Sequence, residues 1–254
     1  MMKNRCFHLP ILLVLIALIC SDTLFAKQKK VLVFSKTAGY RHTSAIAAGK
    51  KAFLQLGSMH QFEVDTTEKA EVFAPENLKQ YSAIVFLCTT GDVLNEEQQV
   101  AFQQFIKAGG GFVGLHSAAD TEYDWPWFGE LNGAYFKSHP KQQEAAFHIV
   151  DTNHIATAHL PKVWKRFDEL YNFKWIGLDL HFLITIDEDS YAGGENGEFH
   201  PMSWYHDVDG GRAFYTALGH DSKSFNDPLY IQHILGGLQY AMGERPEAKN
   251  VKSK

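Results

Sequence analysis

The sequence predicts an α/β fold built on a doubly wound, mostly parallel sheet, and three observations support this prediction. Short apolar runs typical of buried strands, such as 30–35 and 81–87, alternate with amphipathic segments of helical period, such as 45–56 and 96–108. The connections between these segments are short. Alternation of this kind favours parallel strands that are joined by right-handed crossovers.

The other elements follow from local signals along the chain. The first helix is expected to begin at a Thr43 or Ser44 cap and to end at Gly57, and Asn95 is expected to cap the helix over 96–108. Strands are also predicted over 62–65, 146–151 and 182–186, a short helical or irregular crossover over 71–78, and a last helix over 228–242. The turn sequence at 208–211, VDGG, lies between two apolar runs and predicts a β-hairpin added to the parallel sheet.

The segment 107–128 is the centre of the predicted fold. Gly109, Gly110 and Gly111 end a helix, 112–115 has the pattern of a buried strand, and His116 stands where that strand stops. A strand followed by a sharp turn and a polar residue forms a strand-to-helix elbow, which hydrolases use to expose a nucleophile. Here the exposed group is an imidazole, which can act as an acid, a base or a metal ligand.

Three loops that follow predicted strands, 36–43, 88–93 and 116–127, are expected to converge at the carboxyl edge of the sheet. Open α/β sheets bind their ligands at this edge. A fourth stretch, 168–171, alternates like a strand and carries a glutamate, and a histidine follows the hairpin directly. A carboxylate close to imidazoles is suited to proton transfer. The predicted catalytic residues are therefore His42, His116, Glu169 and His220.

A second set of polar and aromatic residues in or near these loops is expected to bind the substrate. Aromatic faces stack on the C–H surfaces of sugars, and carboxylates accept hydrogen bonds from sugar hydroxyls. The predicted substrate-binding residues are Tyr40, Arg41, Asp120, Tyr123, Trp125, Trp127, His139, Tyr171, His200 and Trp204. Each type also has a structural interpretation, with the tryptophans in the core, Asp120 as a helix cap and the histidines solvated or bonded to the backbone.

The first 26 residues have the pattern of a signal peptide. Lys3 and Arg5 precede a short apolar run over 10–20, and Ala26 provides a suitable cleavage site. We therefore expect an exported protein, periplasmic or extracellular, in which 27–254 form a single domain without a stable membrane anchor. Of the three cysteines only Cys88 would remain, which leaves no partner for an intramolecular disulfide.

The composition restricts the classes of ligand. The formal net charge is −5 and there is no basic stripe, so nucleic acid is not expected as a partner. A sequence rich in histidine and aromatic residues suits a small carbohydrate. No HxH, HExxH or CxxC spacing is present, so no cofactor is predicted, although histidines from separate loops could converge on a divalent metal ion. The sequence does not indicate an oligomeric state.

Four stretches resemble the ThuA-like (trehalose-utilisation) family. They are FSKTAGYRHTS at 34–44, the long segment from FLCTTGDV to FKSHP at 86–140, FDELYNF at 167–173 and HPMSWYHDVDGGRAFYTALGHDSKSFNDP at 200–228. The resemblance implies a flavodoxin-like fold similar to class I glutamine amidotransferases, and a role in sugar metabolism, especially of keto-glycosides. In the amidotransferase relatives the elbow carries cysteine. This chain has His116 there, so thiol chemistry is not transferred to it.

Taken together, these features predict an exported enzyme that acts on a glycoside or 3-keto-glycoside by proton transfer assisted by histidine and glutamate. A 3-keto group acidifies the neighbouring C–H bond, and loss of that proton allows isomerisation, elimination or hydrolysis at the glycosidic bond. Two alternatives use the same pocket. One is a non-catalytic carbohydrate-binding protein, and the other is an amidotransferase-like hydrolase with an unusual nucleophile.

Overall fold

The computed structural model describes residues 28–244, and the structural statements below refer to this part of the chain. The strands are β1 (Lys30–Phe34), β2 (Glu63–Thr67), β3 (Ala83–Leu87), β4 (Gly111–Leu115), β5 (Ala134–Ser138), β6 (Gln143–Ile149), β7 (Val163–Asp168), β8 (Asn172–Ile176), β9 (His181–Ile186), β10 (His200–Val208) and β11 (Gly211–Thr216). The α-helices are α1 (Thr43–His60), α2 (Pro75–Leu78), α3 (Glu96–Lys107), α4 (Pro126–Asn132) and α5 (Pro228–Ala241).

Nine of the strands form one central sheet in the order β2-β1-β3-β4-β11-β10-β9-β6-β7. The strands from β2 to β11 are parallel to one another, and the pairing from β11 through β10 to β7 is antiparallel. β5 and β8 form a separate two-stranded sheet. The prediction of an α/β fold with a large, mostly parallel central sheet is confirmed.

Helices cover both faces of the parallel strands. Successive residues of a strand point to opposite faces, and Phe86 and Leu87 illustrate this at the end of β3. Phe86 packs against Phe102 of α3 and Phe128 of α4, whereas Leu87 lies against Gly49 of α1 on the other face. Both faces of the parallel strands are therefore buried, which explains why these strands are continuous apolar runs in the sequence.

The predicted hairpin is present, but it is part of the central sheet and not an addition to it. Asp209 and Gly210 both have positive φ, at 50° and 92°, as a two-residue type I′ turn requires. β11 pairs in parallel with β4, with Phe214 beside Val113, and β10 pairs with β9. The hairpin therefore joins the parallel and antiparallel parts of the sheet.

Three local predictions differ from the structure. The N-cap residue of α1 is His42 and not Thr43 or Ser44. α1 continues past Gly57 to His60, and Gln61 (φ 61°) takes the left-handed capping position. Gly57 is required by packing, because a Cβ there would come within 2.7 Å of the Phe62 carbonyl oxygen. The predicted strand over 168–171 is also wrong, since β7 ends at Asp168 and the following three residues connect it to β8.

The predicted signal peptide, 1–26, lies outside the described residues. Within 28–244, none of the helices is long and apolar enough to cross a membrane.

Candidate active site

Four strands that run in the same direction bring their carboxyl ends to one edge of the molecule. His42 follows the loop after β1 and is the N-cap residue of α1. His116 follows β4, His220 lies four residues after β11, and Glu169 is the first residue after β7. β7 is the last strand of the sheet, so strand order alone does not bring Glu169 to the other three; long-range contacts described below do so.

His116 occupies the predicted elbow and is held by two hydrogen bonds to the neighbouring strand. Its φ is 53°, a left-handed conformation that costs a residue with a Cβ about 1–2 kcal/mol. The Tyr215 hydroxyl donates to the His116 carbonyl oxygen at 2.8 Å, and His116 Nδ1 donates to the Ala217 carbonyl oxygen at 2.7 Å. These bonds fix the ring so that Nε2 points away from β11.

Four side chains converge to form what we call the imidazole–carboxylate cluster, which consists of His42, His116, Glu169 and His220. Glu169 Oε2 lies 3.0 Å from Nδ1 of His220, 3.3 Å from Nε2 of His116 and 3.9 Å from Nε2 of His42. Glu169, His42 and His116 are all buried, and His220 is partly exposed. The four predicted catalytic residues therefore meet at one point.

The cluster shifts the pKa values of its members in different directions. Burial by itself would raise the pKa of Glu169, but hydrogen bonds from the three imidazoles outweigh burial and hold this pKa well below its usual range. Burial lowers the pKa of His42 to about 4, and the neighbouring imidazoles add to this shift. Burial would also lower the pKa of His220, but its hydrogen bond to Glu169 raises that pKa overall. The cluster thus combines an ionised carboxylate, a neutral His42 and a His220 that favours its protonated form.

Asp168 fixes the backbone on both sides of the cluster. Its Oδ1 accepts hydrogen bonds from the backbone N–H groups of Glu169 (2.9 Å) and His220 (3.2 Å), and its Oδ2 accepts from the Gly219 N–H at 3.1 Å. Oδ2 also accepts from Arg166 at 2.8 Å, and both side chains are buried. Asp168, the last residue of β7, therefore connects this edge strand to the loop after β11.

Three members of the cluster line a cavity of about 290 Å³. The residues that line it are Tyr40, His42, Asp120, Phe136, His139, Gln142, Glu169, Tyr171 and His220. His116 is fully buried behind them. An adjoining open groove of about 510 Å³ shares His139, Gln142 and Glu169 with the cavity and adds Phe167.

Asp120 lies in the cavity wall, outside the cluster. The Tyr123 hydroxyl donates a hydrogen bond to its Oδ1 at 2.6 Å, and so orients the carboxylate. Burial raises the pKa of Asp120, and the Tyr123 hydrogen bond partly offsets this shift. Tyr123 does not line the cavity itself, so its predicted contact with substrate becomes a supporting contact to Asp120.

Six of the ten predicted substrate-binding residues do not line the cavity: Tyr123, described above, and Arg41, Trp125, Trp127, His200 and Trp204, which the structure places elsewhere. Arg41 pairs with Glu68 at 2.9 Å on the surface. Trp125 and Trp127 pack on Phe102 of α3 because α4 begins between them and carries them to that side.

The other two are fixed in the core by backbone hydrogen bonds. His200 Nε2 lies 2.8 Å from the Tyr171 carbonyl oxygen, and its Nδ1 lies 2.7 Å from Glu188. Trp204 donates from Nε1 to the Asn132 carbonyl oxygen at 2.8 Å. His200 therefore supports the backbone of Tyr171, which does line the cavity.

Sequence reasoning missed Phe136, Gln142 and the anchoring role of Asp168. Phe136 lies on β5, a strand that was not predicted. The Gln142 amide lies 2.7 Å from Nε2 of His220, at the exposed side of the cluster.

Cys88 is fully buried beneath the site, and burial raises the pKa of its thiol. Among residues 28–244, the side chains that line the cavity include no cysteine. The site therefore does not offer the thiolate on which class I amidotransferases depend.

The comparison with known proteins identifies the family. A family profile described as "ThuA: Trehalose utilisation" matches residues 30–241. The chain belongs to the ThuA family. This membership gives it a carbohydrate-related role, and the predicted resemblance is confirmed. No functionally curated protein is significantly similar to the chain.

Solved structures with the same fold include two ThuA-like proteins. One, from Bacteroides uniformis, has 22% sequence identity and a TM-score of 0.73, and the match covers 87% of this chain and 94% of that one. The other, from Parabacteroides merdae, has 20% identity and a TM-score of 0.71, with coverages of 87% and 92%. At these identities the similarity shows the fold alone.

Two further neighbours overturn the expectation of export. The Salmonella typhimurium proteins STM3548 and STM1381 are described as cytoplasmic, with TM-scores of 0.55 and 0.60, identities of 12% and 13%, and matches over 84% of this chain. The match covers 98% and 99% of their own chains. The N-terminal pattern of positive and apolar residues is therefore not upheld as evidence for a periplasmic or extracellular location.

Proposed function

We propose that this protein is an enzyme that acts on a glycoside or 3-keto-glycoside by proton transfer beside a carbonyl group. The observation that carries the proposal is the buried imidazole–carboxylate cluster on one side of a cavity at the carboxyl edge of the sheet. Strongly perturbed titratable groups in a concave site are typical of catalytic centres.

The walls of the cavity suit a sugar ring. Tyr40, Phe136 and Tyr171 offer aromatic surface for C–H groups, while Asp120 and Gln142 offer hydrogen-bond partners for hydroxyls. A volume of about 290 Å³ is close to the lower limit of typical small-molecule pockets and fits one monosaccharide unit. The adjoining groove leaves room for the substituent on the glycosidic oxygen.

The chemistry follows from the different pKa shifts on the two sides of the cavity. Asp120, whose pKa is raised by burial, accepts the proton from the carbon next to the ketone. The C–H electron pair forms a double bond to the carbonyl carbon, and the carbonyl oxygen takes up the negative charge. Protonated His220, which Glu169 stabilises through Nδ1, donates a hydrogen bond from Nε2 to that oxygen in place of its contact with Gln142. Isomerisation follows when protonated Asp120 returns its proton to the former carbonyl carbon, while the hydroxyl on the deprotonated carbon passes its proton to the former carbonyl oxygen and becomes the new carbonyl. Elimination follows when the carbonyl re-forms, the bond to the glycosidic oxygen on the next carbon breaks, and that oxygen leaves with the proton from Asp120.

The amidotransferase-like alternative lacks its nucleophile. The elbow position holds His116, whose Nδ1 is bound to the Ala217 carbonyl oxygen, and Cys88 is buried without access to the cavity. The binding-protein alternative uses the same walls, and turnover distinguishes it from an enzyme.

The test is incubation with a panel of glycosides and 3-keto-glycosides, with products read by mass spectrometry and ligand affinity by calorimetry. We expect Glu169→Gln and Asp120→Asn to lower turnover on the order of 10²-fold or more and to weaken binding much less. Arg41→Ala is the control, because Arg41 pairs with Glu68 away from the cavity. A wild-type protein that binds a glycoside tightly and converts none of the panel would establish the binding function instead.

A further inference from the structure

The imidazole–carboxylate cluster has a property that its role in proton transfer does not explain. The four side chains each offer one ligand atom, and these atoms all lie within 4.8 Å of one another. Nδ1 of His220 and Nε2 of His116 are 3.3 Å apart and face each other across Glu169 Oε2.

We propose that His42, His116, Glu169 and His220 bind one divalent transition-metal ion. Ligand atoms placed 2.0–2.1 Å from a tetrahedral ion are about 3.3 Å apart. The nitrogen–oxygen and nitrogen–nitrogen separations of 3.0, 3.3, 3.3 and 3.9 Å bracket that value. Small side-chain rotations would bring all four atoms to bonding distance.

Partners outside the cluster orient the rings for metal binding. His116 Nδ1 donates to the Ala217 carbonyl oxygen at 2.7 Å, so its unprotonated nitrogen in the neutral ring is Nε2, which faces the cluster. His42 Nδ1 lies 3.3 Å from the Ser117 hydroxyl, which leaves Nε2 for the ion. Hydrogen bonds of this kind, from the ring nitrogen that does not bind the metal, are typical of histidine metal ligands.

The donor set selects the type of ion. Three imidazoles and one carboxylate suit zinc and its first-row neighbours, whereas Mg²⁺ and Ca²⁺ prefer oxygen ligands. His42, Glu169 and His220 line the cavity, so an ion held among them would face the bound ligand. In the enzyme proposed above, the ion would replace the proton on His220 Nδ1 and would itself polarise the carbonyl oxygen as a Lewis acid. Asp120 lies outside the ligand set and remains free to accept the proton.

The inference can be tested without any sugar, so its failure is distinguishable from failure of the proposed function. The untagged protein is treated with a chelator, and Zn²⁺, Co²⁺ and Mg²⁺ are titrated by calorimetry and elemental analysis. We expect one equivalent of Zn²⁺ or Co²⁺, and no comparable binding of Mg²⁺. Bound Co²⁺ should also show the visible absorption bands of a nitrogen- and oxygen-ligated ion.

Variants locate the ion. His116→Asn removes a ligand and keeps a residue that tolerates positive φ, and Glu169→Gln removes the charged ligand. We expect each to weaken Zn²⁺ binding on the order of 100-fold or more. His148→Ala is the matched control, because His148 is an exposed histidine on β6 that lies 3.9 Å from Asp187. If His116→Asn does not fold, His220→Gln replaces it, since His220 is partly exposed.

Two results would overturn the inference. One is a chelated wild-type protein that takes up no Zn²⁺ or Co²⁺. The other is uptake without the expected location or selectivity. His148→Ala would then weaken Zn²⁺ binding as much as the cluster variants do, or Mg²⁺ would bind as tightly as Zn²⁺.

Discussion

The carboxylate of Asp168 should be the strongest single anchor of the site, and replacing it with asparagine tests this. Each carboxylate oxygen accepts two hydrogen bonds. Oδ1 accepts from the backbone N–H groups of Glu169 and His220, and Oδ2 accepts from the Gly219 N–H and the Arg166 guanidinium. Whichever way the amide of Asp168→Asn is turned, its NH₂ group faces two of these donors. The change therefore leaves the buried Arg166 guanidinium without its closest carboxylate.

The magnitude follows from burial, since the side chains of Asp168 and Arg166 are only 1% and 7% exposed. Removing one partner of a buried ion pair costs about 3–5 kcal/mol. For a domain of this size, such a loss lowers the melting temperature on the order of 10 °C. Because Asp168 positions the backbones of Glu169 and His220, turnover of any substrate found in the panel should fall as well.

Asp227→Asn is the matched control. Asp227 also faces Arg166, at 3.6 Å, but it is 31% exposed. It caps α5 through the Leu229 N–H, which asparagine can also do. We expect it to lower the melting temperature by a few degrees and to leave the site unchanged. Circular dichroism melts give the melting temperatures of the two variants. Equal decreases for Asp168→Asn and Asp227→Asn would refute the anchoring role of Asp168.

Three further predictions address other parts of the account. Arg41→Ala should leave sugar affinity and turnover within about twofold of wild type, because the Arg41–Glu68 pair lies on the surface and contributes at most about 1 kcal/mol. A larger loss of sugar affinity in calorimetry would show that Arg41 contacts the ligand. Burial lowers the pKa of His233 to about 3, so the unfolded state binds more protons below pH 6.5 and stability falls with pH there. His233 alone should contribute about 1 kcal/mol per pH unit to the stability lost in urea melts from pH 6 to 4. The His233→Gln variant should lack that contribution, and identical slopes for the two proteins would contradict this. Cys88 should resist alkylation in the native protein and react after unfolding, as peptide mapping can show, because burial raises the pKa of its thiol.

The parallel half of the fold was predictable because its signals are local. Strands buried on both faces are short apolar runs, and the predicted Asn95 cap is present, where it forms a capping box with Gln98. The elbow at His116 was visible in the same way, from glycines followed by a buried strand and a polar residue. His42, His116 and His220 were identified because each follows a strand whose end the sequence marks.

The rest of the site depends on contacts between distant parts of the chain. The His220 backbone N–H donates to the Asp168 side chain although 52 positions separate them, and no local pattern reports such a contact. The tryptophans misled the prediction because aromatic residues serve a sugar pocket and a core equally well. Pro126 starts α4 between Trp125 and Trp127, and both rings are packed on α3 as a result.

The central claim, proton removal beside a sugar carbonyl, can be measured directly by proton NMR of a methyl 3-keto-glycoside in D₂O. The account predicts that wild-type protein accelerates exchange of the proton next to the carbonyl, and that Asp120→Asn slows this exchange on the order of 10²-fold or more. The buffer alone gives the uncatalysed rate. Exchange at the uncatalysed rate, in the presence of wild-type protein that binds the sugar, would contradict the account.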